Sequence, residues 1–151
     1  TRTGALGGAS GADAFCTAEA NRPDAHVRVR GREFVAWISI VSADAAARHV
    51  HGTGSYIRPD GTVIASSWTV LVSGALAAGI TLDQFGGAIT GTAWTGTQSD
   101  GTRAGTNWVD FAAQAASDIG VLGALGSTTS TWTASINSYC NTDRRLICIE
   151  K

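Results

Sequence analysis

Three cysteines, Cys16 near one end and Cys140 and Cys148 near the other, constrain this 151-residue chain more than any other feature. An odd number permits at most one internal disulfide and leaves one thiol over. Cys16 falls in a short helical pattern, and Cys148 in the closing segment 144–151, which reads as an apolar strand. If these two are bonded, the ring spans nearly the whole chain. That arrangement is commoner in extracellular binding modules than in enzymes, and a ring of more than a hundred residues is worth roughly 4–5 kcal/mol in the polymer-loop picture. Such a bond persists only in an oxidising compartment.

The length suits one domain with its own core. Charged residues are only 15% and the formal net charge is -1, so no global field draws the chain to nucleic acid or lipid, and partners must be recognised locally. Nineteen glycines favour a loop-rich, β-leaning surface, while five tryptophans and 44% hydrophobic residues exclude disorder. The longest apolar run, 119–125, is too short to span a membrane and is broken by Gly120 and Gly123. With no methionine, the chain reads as a processed or excised module.

Residues 1–9 read as an irregular lead-in to a single domain over 10–151. Ser10 and Asp13 form a capping-box-like start to a helix whose face carries Ala12, Phe15, Cys16 and Ala20, ending by Pro23. Residues 34–41 read as a mostly buried strand, Ser42 as the cap of a short helix through Arg48, and Pro59-Asp60-Gly61 as a turn. The segment 68–76 is ambiguous between helical turn and strand. Residues 92–97 read as a strand closed by the Ser99-Asp100-Gly101 turn, 112–126 as an alanine- and glycine-rich passage, 131–135 as a strand by alternation, and 145–150 as the last strand. The order predicts an α+β fold whose terminal strands are neighbours.

Five strings in this order resemble the endostatin-like domains, a group that includes the C-terminal domains of collagens XV and XVIII and related secreted bacterial domains. They are Gly11-Ala12-Asp13-Ala14-Phe15-Cys16, Ala36-Trp37-Ile38-Ser39, the eight residues from Ser67 to Gly74, the nine from Ala93 to Gly101, and the Cys-x7-Cys-Ile-Glu string from Cys140 to Glu150. The resemblance implies a C-type lectin-like fold, with a twisted antiparallel sheet, two flanking helices and a loop-rich region. It implies a Cys16–Cys148 disulfide. The family's second bridge would join Cys140 to position 105, which is glycine here, so Cys140 is expected as a free thiol, either buried, as free cysteines most often are, or available for an intermolecular bond.

Candidate ligand contacts fall in three places. The loop after Trp94 carries Asp100, Arg103 and Asn107, against which stands a plain hairpin turn with solvated polar groups. Trp94 and Trp108 are expected in the core. Trp132 and Tyr139 are the aromatics best placed for exposure, because the Thr/Ser-rich segment around Trp132 departs from the family pattern and resembles an insertion, although core packing competes. His26, Arg28, Arg30 and Arg32 alternate with Val27, Val29 and Gly31, so an extended backbone would put four basic groups on one face for a sulfated or carboxylated glycan, or else guard a sheet edge. His49 and His51 could share zinc, with a solvated loop as the stronger expectation. The calcium-lectin triplets are absent, and so are Gly-x-Ser-x-Gly, phosphate-loop and His-Glu-x-x-His motifs.

These readings converge on a non-enzymatic, secreted or cell-surface recognition module without metal or cofactor, binding an extracellular protein or glycan, with no nucleic-acid partner and no membrane insertion. A carbohydrate-binding domain and a structural tip or assembly domain of a larger fibre are the alternatives.

Overall fold

The computed structural model describes residues 1–105, 110–112 and 117–151. The chain is α+β: helices α1 (Gly8–Ala20), α2 (Ala45–Arg48) and α3 (Trp68–Val72), one 3-10 turn (Ser130–Trp132), and strands β1 (Phe34–Ala36), β2 (Tyr56–Ile57), β3 (Val63–Ala65), β4 (Thr92–Trp94), β5 (Ile119–Ala124), β6 (Ile136–Tyr139), β7 (Arg145–Leu146) and β8 (Cys148–Glu150). Four strands form one sheet in the order β6-β5-β4-β7, antiparallel except for the parallel β4–β7 pair. β8 leaves that sheet to pair antiparallel with β1, and β2 pairs with β3. No described helix is long and apolar enough to cross a membrane.

Cys16 and Cys148 are bonded, 132 residues apart in sequence, tying α1 to β8. Cys140 is free and buried. The lead-in is not irregular throughout. Arg2 bridges Arg144, and the Gly4 N–H donates to the Cys140 carbonyl at 2.7 Å. Helix α1 starts at Gly8 behind a left-handed Gly7, with no side-chain cap. Ser10 and Asp13 therefore form no capping box. Asp13 points away from its own helix end: Oδ1 accepts from the Ala36 N–H at 2.9 Å and from the Arg48 guanidinium at 2.6 Å, fixing α1 against β1 and α2. Phe15 is only partly buried, under the Arg2 guanidinium.

The structure corrects three other local expectations. The strand at 34–41 is hydrogen-bonded as a ladder only over Phe34–Ala36, although Trp37 and Ile38 remain fully buried. The passage at 112–126 contains β5, the longest strand among the described residues, whose apolar run sits between two neighbours where alternation is lost. Gly123 allows this: a Cβ there would collide with the Trp132 carbonyl. Residues 130–132 form a 3-10 turn rather than a strand, because Trp132 is drawn inward.

Two apolar clusters fill the interior. One joins Ala12, Cys16, Ile38, Trp94, Phe111, Leu122 and Cys140 between α1 and the sheet; the other gathers Trp37, Ile64, Leu71, Leu125, Trp132 and Ile147. Between the strands runs a fully buried hydroxyl chain. Trp37 Nε1 donates to Thr133 Oγ1 at 2.8 Å, Thr133 Oγ1 donates to the Thr97 carbonyl at 3.0 Å, and Thr97 Oγ1 and the Ala45 N–H both reach Ser39 Oγ, at 3.0 and 2.8 Å. Buried donors that are met in this way favour a single packing arrangement.

Candidate functional site

Residues 145–151 form one wall of a groove of about 1030 Å³. Its far walls are α1, through Phe15 and Glu19, and the loops at 50–59 and 80–89. Arg58 braces the second wall, donating to Thr81 Oγ1 at 2.6 Å, Thr62 Oγ1 at 2.9 Å and the Asp60 carboxylate at 2.9 Å. The Thr62 N–H and this guanidinium hold the Asp60 carboxyl down to about 2. Gln84 closes one end, donating to Glu19 at 2.6 Å while its carbonyl accepts from the His26 N–H at 2.8 Å.

Half-buried Val29, Phe34, Ile80, Leu82, Ile89 and Ile149 supply an apolar lining. Seven of the eleven Lys and Arg side chains line the same groove, with only three of the twelve carboxylates. The net charge of -1 thus conceals a separation, with a basic groove and an acidic remainder. Arg22, Arg32, Arg58 and Lys151 are paired with carboxylates, whereas Arg2, Arg28 and Arg145 have no ion-pair partner among the described residues.

The basic ladder at 26–32 is not extended. Val29 and Arg30 N–H groups both return to the His26 carbonyl, at 2.8 and 2.9 Å, so the segment is a run of turns and its four basic side chains do not share a face. Arg28 and Arg32 line the groove, Arg32 meeting Glu150 at 2.7 Å, while Arg30 donates to the Pro23 carbonyl at 2.9 Å. Of the four residues in the expected ladder, only Arg28 and Arg32 line the groove.

Other candidates are dispersed. Asp100 closes on its own turn, accepting from Thr102 Oγ1 at 2.6 Å and Thr102 N–H at 2.9 Å; both bonds lower its carboxyl from the usual range, the side-chain one more. The Arg103 N–H donates to Asp44 Oδ1 at 2.7 Å. Asn107 and Trp108 lie outside the described residues. Trp132 is fully buried, its ring tilted against that of Trp37 with centroids 5.2 Å apart, so it is no exposed anchor, although the residues just before it, Thr128 to Thr131, are exposed; its indole N–H has no acceptor among the described residues. Tyr139 is 57% exposed on β6.

The expected solvated loop holds for His51, which is exposed, but not for His49, and the two imidazoles have separate partners. His49 is buried with Nδ1–H donating to the Ala45 carbonyl at 2.8 Å, and His51 stacks on Trp68 at 3.9 Å. Among the described residues no three His, Cys, Asp or Glu side chains gather as a metal site. The groove escaped sequence reading because Arg2, Arg58 and Arg145 are far apart in the chain. Comparison with protein-family models and with curated protein sequences gives no match.

Proposed function

We propose that the chain is a non-enzymatic extracellular recognition domain of the endostatin-like class, with a C-type lectin-like fold, and that it holds an anionic partner in the groove beside β8. The observation that carries this reading is the concentration of basic side chains there, three of them without carboxylate partners, around an apolar lining. Charge-assisted contacts from guanidiniums suit carboxylate or sulfate, and the lining adds area that a purely ionic surface lacks. A disulfide that ties the ends together suits an oxidising compartment. Binding of the purified chain to an array of glycans, matrix proteins and intact cells, at two salt concentrations and with chelator, tests it. Retention on anionic ligands that weakens with salt and ignores chelator is expected; retention indifferent to salt, or none, rejects the groove as the site.

A second reading rests on Tyr139. Its exposed ring, on the outer strand of the four-stranded sheet, offers a stacking surface for a sugar. Glycan capture lost on Tyr139→Ala and untouched by substitutions in the groove would favour it.

A further inference from the structure

We propose that the groove receives an extended acidic peptide, which adds to the outer edge of β8 as a new strand; this rests on the groove being the binding site. Three observations lead there. The first is the register of β8. The Trp37 N–H donates to the Ile147 carbonyl at 2.8 Å and the Lys151 N–H to the Glu33 carbonyl at 3.0 Å, with Ala36 opposite Cys148 and Phe34 opposite Glu150. Odd-numbered residues therefore spend their main-chain groups on β1, and the N–H and C=O of Cys148 and Glu150 face the other way. No third strand pairs with β8 among the described residues.

The second is the contrast with the opposite edge. β1 is capped: Asp13 accepts its Ala36 N–H, Arg48 donates to its Ala36 carbonyl at 3.1 Å, and Thr17 Oγ1 donates to its Phe34 carbonyl at 3.1 Å. Side chains of α1 and α2 thus protect one edge of the two-stranded sheet, and the other opens into the groove.

The third is the groove's shape and charge. Because α1 flanks one face of β8 and the loops at 50–59 and 80–89 the other, alternate side chains of an added strand would enter two different walls. One wall offers Ile80, Leu82 and Ile89 to apolar residues, and the arginines without carboxylate partners answer carboxylates. A partner alternating acidic and apolar residues fits both demands, whereas a sulfated glycan lacks the regularly spaced main-chain amides that pair with a strand edge.

The test is calorimetric titration of the intact chain with an acetylated eight-residue peptide of alternating Glu and Val. Its counterpart with Lys for Glu, and two versions N-methylated on one or the other set of alternate amides, are the comparisons, with amide hydrogen exchange followed throughout. The acidic peptide should bind, the Lys peptide should not, and one methylated frame but not the other should lose about tenfold or more, since only one peptide edge faces β8. Exchange should slow at the Cys148 and Glu150 amides. Glu150→Pro, which deletes an outward N–H without touching the β1 ladder, should weaken binding about tenfold relative to Glu150→Ala. Equal binding of both methylated frames, unchanged exchange at those two amides, or no binding of the acidic peptide overturns the proposal. If the ligand array still retains the chain, only strand addition fails; silence in both removes the groove as a recognition site.

Discussion

His49 illustrates how one residue's burial sets a measurable pH dependence. Desolvation holds its imidazole below the ordinary 6.5, and the carbonyls of Ala45 and Val35 oppose the shift only in part. The unfolded chain takes up a proton near pH 6.5 while the folded chain does not, so stability is full above that pH and falls as the pH drops through it, levelling off below the folded value. Urea midpoints measured from pH 8 to pH 5 should decline below about 6.5, and His49→Asn should remove that part of the slope. Cys140 is the second case. Burial, then Asp118, pushes its thiol up, and Gly4 packs so closely that a Cβ there would lie 2.7 Å from the Cys140 Cβ. Without reductant, the native chain should resist a thiol reagent, and the denatured chain should titrate one thiol. Three thiols in the denatured chain would contradict the Cys16–Cys148 pairing.

Between elements, the decisive contacts are few and polar. Thr133 lies just past the 3-10 turn and satisfies the Trp37 indole deep in the interior, so Thr133→Val keeps the shape but strands a buried donor. A loss of about 1–3 kcal/mol in denaturant unfolding is expected. Removing the disulfide with Cys16→Ala and Cys148→Ala should cost roughly 4–5 kcal/mol by the polymer-loop measure, checked in the same way. Helix α1 would keep its Asp13 anchor to Ala36 and Arg48, so the variant should still fold in mild conditions. The period-based expectations failed where such contacts act. The alternation at 131–135 gave way to a 3-10 turn because Trp132 is drawn beneath Trp37, and the helix start moved from Ser10 to Gly8 because Asp13 serves β1.

Taken whole, the molecule carries little net charge but a strong separation of it. At pH 7 and low salt the chain should bind a sulfonated cation exchanger despite its formal charge of -1, and Arg28→Glu with Arg145→Glu should abolish retention. Retention that survives both substitutions would place the basic surface elsewhere. The mixed α+β class, the burial of Trp37 and Trp94 and the turns at 59–61 and 99–101 could be read from the amino-acid order, since they depend on hydrophobic spacing and turn residues that act locally, whereas the nearness of the two ends followed only on the premise that they are tied by a disulfide. The Cys16–Cys148 bond was implied by resemblance and is present. The open edge of β8 and the convergence of Arg2, Arg28 and Arg145 on one groove could not be read that way. A main-chain edge becomes free or capped according to which distant side chains reach it, and scattered charges form a field only once the fold brings them to one wall.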